Sequence, residues 1–182
     1  MVVGMFLSCG NTNEEIQEVS STGDGPQQIT EGVTFYFSDQ GMAQIKVEAP
    51  VMHQFGKDMQ EAEFECPVGM KVTFYDTSGK VESVLTSKYG ELHSNTEFII
   101  VKDSVVFKNS KEEELNTELL HVDFKKDCVY THEKVVVASP KGTISGVGLH
   151  SNSNFTDYKV HNISNGLYNL EGNELGTDKD NE

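Results

Sequence analysis

The 182-residue sequence contains no arginine and no tryptophan, and both absences narrow the range of functions. Its fourteen basic residues are all lysines, and 29 acidic residues bring the net charge to −15. Nucleic-acid binding needs a basic patch, often with guanidinium groups that grip phosphates, so this composition argues against it. It also argues against electrostatic docking on an anionic membrane surface. The missing tryptophan counts against sugar sites built by aromatic stacking, although six tyrosines remain available.

Recognisable catalytic and metal-binding motifs are missing as well. The chain has no G-x-S-x-G, no H-E-x-x-H and no glycine-rich phosphate loop. Its six histidines are dispersed, and the near pairs His121-x-Asp123 and His132-Glu133 have no second pair at zinc-ligand spacing. We therefore expect no enzymatic activity, no catalytic residue, no metal and no cofactor.

The first ten residues are apolar, but they are far fewer than the roughly 20 that span a bilayer. They resemble the end of a bacterial lipoprotein signal peptide, in which small Ser8 precedes cleavage and Cys9 carries the lipid. Phe6 stands where leucine is usual, and no basic segment precedes the apolar run. An apolar terminus with an incidental cysteine is the alternative interpretation. We expect lipidation at Cys9 and a membrane anchor there.

Composition divides the chain into four parts. Residues 1–9 are the expected signal-peptide remnant, and residues 10–28 are an expected disordered tether, because they are polar and contain no lysine. Residues 29–170 form one domain, long enough to bury a core. Residues 171–182 are an expected disordered acidic tail, ending in TDKDNE.

The most informative stretch of the domain is Leu115–Leu149, a series of short alternating segments. Leu120, Val122 and Phe124 fall in one phase, and Val135 repeats that phase after a charged break. Period-2 alternation bounded by turn residues is typical of half-buried strands. Because such segments recur about every 10 to 13 residues, the pattern predicts a sandwich, jelly roll or barrel.

Similar segments occupy the rest of the domain. They lie at 33–37, 43–48, 64–66, 71–75, 81–86, 98–101 and 104–107. The turn Asp76–Gly79 predicts a hairpin, and Lys102-Asp103 predicts another. Only His53–Glu63 could hold a helical turn. The sequence therefore predicts an all-β domain of about 10 to 14 strands.

An ordered series of motifs carries a family resemblance. The series runs L-x-T-x-x-L-x-x-D, then Y-T-x-x-x-V, then I-x-G-x-G-L, and ends in an Asn and a Gly. The matching residues are Leu115, Thr117, Leu120, Asp123, Tyr130, Thr131, Val135, Ile144, Gly146, Gly148, Leu149, Asn162 and Gly166. The series is similar to the LptC family, the periplasmic component of the lipopolysaccharide export machinery. Earlier matches at Tyr75-Asp76-x-x-Gly79 and Gly90-x-Leu92 extend the resemblance to about residues 31–168.

The resemblance implies a twisted open β-jelly roll of the LptA, LptC and OstA type, with an apolar groove between two antiparallel sheets. It implies that the groove accepts the acyl chains of lipopolysaccharide. The protein would take them from the inner-membrane ABC transporter and pass them to an LptA-like periplasmic bridge protein. It implies a periplasmic location at the inner membrane. One departure is that familiar members carry an N-terminal membrane helix, whereas this chain offers Cys9 instead.

Acyl chains are held by apolar area, so the inward phase of the strands supplies the candidate lipid-binding residues. They are Ile45, Val47, Phe64, Val72, Phe74, Ile100, Val105, Phe107, Leu120, Val122, Phe124, Val135, Val137 and Ile144. Core packing is the alternative role for each of them.

Gly146 and Gly148 are isolated glycines in a strand, which mark a bulge or a close backbone approach. The family resemblance implies that they shape an edge to which a partner docks, and a simple bend of the strand is the alternative. Cys66 and Cys128 could pair in an oxidising periplasm or could be small buried residues. The other function left open is an unrelated β-sandwich lipoprotein for adhesion or polysaccharide binding.

Overall fold

The computed structural model describes residues 25–39, 42–56 and 62–168, and every regular element in these ranges is a β-strand. The strands are β1 (Gln28–Asp39), β2 (Met42–Phe55), β3 (Glu63–Cys66), β4 (Met70–Tyr75), β5 (Val81–Ser87), β6 (Tyr89–His93), β7 (Phe98–Asn109), β8 (Glu114–Asp123), β9 (Cys128–Ser139), β10 (Gly142–Ser151), β11 (Tyr158–Val160) and β12 (Asn165–Tyr168). The all-β prediction is confirmed. The helical turn considered for His53–Glu63 is wrong at its start, because His53–Phe55 continue β2. None of the described segments forms a helix long and apolar enough to cross a membrane.

The strands form one antiparallel sheet that folds over into two layers. Residues 45–48 of β2 pair with β4, whereas residues 53–55 pair with β3. In the same way, residues 98–102 of β7 pair with β6, whereas residues 106–109 of β7 pair with β5. Strands β2 and β7 thus belong to both layers, and the order β2-β4-β5-β7-β6-β3 closes a ring. We call the layer with β4 and β5 the first layer and the layer with β3 and β6 the second layer.

Strands β1 and β7 cross between the layers at local irregularities. On β1, Gly32 has a φ of 64° and lies across from Pro50 of β2, which has no N–H to donate. On β7, Asp103 and Ser104 have φ values of 63° and 53°. The hairpin predicted at Lys102-Asp103 is therefore wrong. Both halves of β7 pair with the same strand, β8, so these residues form a bulge within one strand.

Two threonines of the family-like motifs satisfy backbone groups where the strands bend. The β8–β9 register is interrupted between residues 116 and 121, which removes ladder hydrogen bonds. There, the buried Thr117 hydroxyl donates to the Lys134 carbonyl at 2.9 Å. The buried Thr131 hydroxyl accepts the Glu133 N–H at 3.1 Å. An unpaired buried backbone group raises the free energy of the folded state. These hydroxyls therefore stabilise the place where the strands bend from one layer into the other.

Inward-facing apolar side chains lie in register across neighbouring strands of each layer. The row of the first layer comprises Ile144, Val137, Leu115, Phe107, Leu85, Val72, Val47 and Phe35. The row of the second layer comprises Phe64, Leu92, Ile99, Val122 and Val129. Period-2 alternation places these side chains on one face, and the two rows meet between the layers. The jelly-roll fold expected from the resemblance is the observed one.

Candidate functional site

An apolar cavity opens between the two layers at the end formed by β1, β2, β3 and β6. Its volume is about 420 Å³, within the usual range of ligand sites. Its lining comprises Phe35, Phe37, Ile45, Phe64, Leu92, Phe98, Ile99 and Phe124, with His93, Ser94 and Glu97. A second hollow of about 230 Å³ adjoins it and shares the walls made by Phe35 and Phe64. These two rings meet with their centroids 5.9 Å apart.

Strand β1 supplies one wall of the cavity through simple alternation. Val33, Phe35 and Phe37 line the hollows, while the intervening Tyr36 lies outside with its ring near Lys46. Phe37 is still 52% exposed, although it lines the cavity. Exposure of so large an apolar side chain shows that the cavity is open to solvent on this side.

Polar groups of the cavity are confined to its rim, at the end of β6 and in the turn that leads to β7. His93 places Nδ1 3.4 Å from Glu63 Oε1 and Nε2 3.8 Å from Glu91 Oε2. Lys125 Nζ donates to the Asn95 carbonyl of the same turn at 2.9 Å. Across the described ranges, no three His, Cys, Asp or Glu side chains are grouped as metal ligands. The arrangement suits an amphiphile, with an apolar interior and a charged mouth.

The opposite end of the interior, beneath β7–β10, is filled. Phe155, from the loop between β10 and β11, is completely buried. Its ring stacks on Phe107 of the first layer at 5.1 Å and on Tyr158 of β11 at 4.8 Å. Between the layers, the described chain therefore has one open end and one closed end.

A family profile described as "Lipopolysaccharide-assembly, LptC-related" matches residues 2–169, nearly the whole chain. The chain belongs to the LptC family. This membership gives the protein a role in lipopolysaccharide transport, among the Lpt components, in the periplasm at the inner membrane. Membership in the LptC family replaces the alternative of an unrelated β-sandwich lipoprotein. A comparison with curated proteins finds no match.

Three of the fourteen lipid-binding candidates line the cavity of this LptC-family protein: Ile45, Phe64 and Phe124. Nine others are buried in the core: Val47, Val72, Phe74, Val105, Phe107, Leu120, Val122, Val135 and Val137. Ile144 is half-buried at the end of the first-layer row. The open cavity thus lies nearer the N-terminal strands than the Leu115–Leu149 stretch suggested.

Ile100 is the one candidate on the wrong face of its strand. Ile99 and Val101 are buried between the layers, so Ile100 points the other way. Its partners across the ladder are Glu91 and His121 on the outer face. The run Phe-Ile-Ile-Val is apolar at every position, so alternation alone could not assign its phase.

Several lining residues were not among the candidates. Phe35 and Phe37 alternate with polar or exposed neighbours on β1, so the same period-2 signal could have identified them. Leu92 and Ile99 reach the cavity because β6 pairs with β7, which the sequence did not show. Ser94 and Glu97 of the rim lie on a turn, where no periodicity applies.

Gly146 and Gly148 lie against the segment at residues 160–162, at and just after the end of β11. A Cβ on Gly146 would lie 2.4 Å from the His161 carbonyl oxygen and 2.7 Å from Val160 Cγ1. Gly148 has a φ of 90°, which strains any other residue. Val147 N–H donates to the His161 carbonyl at 3.1 Å, which holds this segment against β10. The glycines therefore permit close backbone approach, and a role in partner docking stays a prediction.

Two of the three cysteines lie within the described residues. Cys66 and Cys128 are free; Cys66 is buried, as the alternative of small buried residues expected, whereas Cys128 is only half-buried. Burial raises the pKa of the Cys66 thiol to about 12, which keeps it protonated and unreactive. Cys9 lies outside the described residues, as do most of the predicted tether and the acidic tail.

Proposed function

We propose that this protein holds acyl chains of lipopolysaccharide in the cavity between its layers. In this proposal it receives the lipid from the inner-membrane ABC transporter and passes it to an LptA-like bridge protein. The observation that carries the proposal is the apolar cavity with its charged rim, open to solvent beside Phe37. Membership in the LptC family points to lipopolysaccharide as the ligand, and the cavity offers its acyl chains an apolar site.

The chemistry of the cavity suits a relay. Apolar contact contributes about 25 cal/mol per Å² and has no directional requirement, so chains of different shape can enter. The walls described above are apolar, so releasing the acyl chain does not require an ion pair with them to be broken. Charged groups at the rim keep the polar part of the lipid near water. Binding of this kind is reversible, as transfer requires.

Strand edges at the two ends offer a way to extend the cavity into neighbouring proteins. Within the described residues, β1 pairs with β2 alone, so its other edge carries N–H and C=O groups suited to strand addition. At the far end, β11 and β12 both pair with β10. Ile163 and Leu167 in this region are 63% and 72% exposed. Head-to-tail pairing at these edges would join the interiors of successive proteins.

Two further parts of the proposal concern attachment. Lipidated Cys9 would hold the domain at the inner membrane through the polar segment that follows it. Gly146 and Gly148 would act indirectly on partner docking, by seating residues 160–162 so that β11 and β12 form the outermost edge.

Site-specific photo-crosslinking in cells that make lipopolysaccharide tests the lipid site. A benzophenone amino acid replaces Phe37 in one variant and Tyr36 in the other. These neighbours are similarly exposed, at 52% and 59%, yet only Phe37 lines the cavity. We expect lipopolysaccharide adducts from position 37 and few or none from position 36.

Equal labelling from both positions would show surface contact and contradict the proposed cavity. Absence of adducts from position 37, with the protein folded and present at normal levels, would contradict lipid binding at this site. Position 124 provides a further probe from the other side of the cavity, since Phe124 is half-buried on its wall.

A further inference from the structure

Phe155 joins the two layers at the closed end of the interior. Its ring lies against Phe107, which belongs to the inward row of the first layer. On the other side it lies against Tyr158, whose partner Ser151 continues the inward row of the second layer. The side chain is therefore not part of either sheet wall, but occupies the space between them.

A line of aromatic rings connects this side chain to the cavity. Phe124 lines the cavity, and its ring lies 6.3 Å from Phe74. Phe74 in turn lies 5.4 Å from Phe107, which stacks on Phe155. Beyond these rings, the first-layer row continues to β10 at the far edge of the sheet. An acyl chain moving from the cavity toward that edge would pass along Phe74 and Phe107 and then meet Phe155.

The loop that carries Phe155 spans the opening between the layers. Asn154 Nδ2 donates to Glu82 Oε2 at 2.6 Å, at the start of β5 in the first layer. Ser153 Oγ donates to Asp127 Oδ1 at 2.5 Å, in the turn after β8 in the second layer. Both bonds are side-chain contacts in exposed or half-buried positions. They tie the loop to both layers without embedding it in either.

Two features mark this closure as specific and also displaceable. Buried Asn109 donates from Nδ2 to the Phe155 carbonyl at 2.8 Å, which fixes where the ring enters. Phe155 itself has a φ of 56°, a left-handed conformation that is unfavourable for a bulky residue. The closed position is thus held by these polar contacts, by hydrogen bonds of Asn152 within the loop and by one apolar ring, against a strained backbone.

We infer that Phe155 is a plug that confines acyl chains to the open cavity and must withdraw before lipid reaches the β10–β12 edge. The inference rests on the proposed lipid-binding function and names the residue that limits how far the lipid enters. Removing the ring should extend the cavity past Phe107 toward Leu115 and Val137.

The test uses the full chain with methyl-labelled Ile, Leu and Val and the spin-labelled fatty acid 16-doxyl-stearate as the probe. Paramagnetic broadening in NMR spectra reports which methyl groups the chain approaches. In the natural protein, we expect signal loss at Ile45 and Ile99, with Leu115 and Val137 remaining sharp. In Phe155→Ala, we expect signal loss to spread to Leu115 and Val137.

Asn154→Ala provides a second variant, because it releases the loop from Glu82 and leaves the core volume intact. We expect it to cause a smaller loss at Leu115 and Val137. Its matched control is Asn165→Ala on exposed β12, which should leave the natural pattern unchanged.

The outcomes separate this inference from the function beneath it. Sharp Ile45 and Ile99 signals in the natural protein would contradict lipid binding in the cavity, and the plug with it. Broadened Ile45 together with sharp Leu115 and Val137 in both loop variants would overturn the plug alone. Signal loss at Leu115 in the natural protein would also overturn it, because the closed end would then already admit the chain.

Discussion

The two ends of the interior are built from the same alternating strands, yet one is a cavity and the other a packed core. At the open end, Phe37 lines a hollow and remains 52% exposed. At the closed end, Leu115 occupies an equivalent inward position and is fully buried. The difference comes from what covers the gap between the layers. The loop at 152–157 inserts Phe155 over the closed end, and the rim turn at 94–97 leaves the other end accessible.

This comparison assigns different roles to the two ends. Well-packed side chains at the closed end contribute most to folding stability, since burial and close packing scale together. The open end leaves apolar area in contact with water, a feature that usually marks a binding site. We expect mutations at the closed end to affect stability and mutations at the open end to affect lipid binding.

The largest expected effect is on stability and follows from truncating one inward side chain at each end. Leu115→Ala should lower the free energy of unfolding by about 2 to 5 kcal/mol, because it leaves a cavity in a packed core. Phe37→Ala should lower it by less than about 1 kcal/mol, because its ring is already half exposed. Urea unfolding followed by circular dichroism measures both values. Equal losses would show that the two ends are packed alike.

A smaller effect is expected where β10 meets the C-terminal strands. Gly146→Ala places a Cβ against the His161 carbonyl and should cost about 1 to 3 kcal/mol. Hydrogen exchange should show faster exchange in residues 158–168. Gly166→Ala is the matched control, since a Cβ there meets nothing within 4 Å. Unchanged exchange in the Gly146 variant would contradict the role assigned to this glycine.

The smallest effect concerns pH and the outer face of the second layer. Burial, with smaller effects from His132 and Lys102, lowers the pKa of His121, whose ring stacks on Tyr130 at 4.9 Å. Because the pKa is lower in the folded protein, the neutral form of His121 favours folding. This contribution to stability is fully present above the unfolded pKa of about 6.5. It declines as pH falls through the lower pKa of the folded protein.

His121→Gln, which is neutral at every pH, should remove this part of the decline. Melting temperatures measured from pH 7 to pH 5 should therefore fall slightly less in the variant than in the natural protein. A constant difference between the two across this range would contradict the lowered pKa.

Sequence reasoning succeeded where one local pattern had one structural solution. The hairpin at Asp76–Gly79 is an example, because Asp76 Oδ1 accepts the N–H groups of Ser78 and Lys80. It failed at Lys102-Asp103, where the same polar residues form a bulge inside β7. A turn and a bulge draw on similar residues, and only strand pairing distinguishes them.

The candidate site was predictable in kind but not in position. Alternation identified which side chains face inward on most strands, including Ile45 and Phe64 of the cavity wall. It could not show that Phe155, distant in sequence and in a loop, would fill the other end. A loop side chain has no periodic signal, and its burial depends on contacts such as Asn109 that form only in the folded chain.

The sequence by itself determined the all-β class, the inward phase of most strands and, through its ordered motifs, the LptC family. These properties depend on local alternation and on residues such as Thr117 that satisfy backbone groups at fixed points. Only the tertiary structure decided which stretch of the interior stays open. That outcome depends on which loop covers the gap between the layers. The position of this loop is set by packing between residues far apart in sequence, and local alternation carries no information about it.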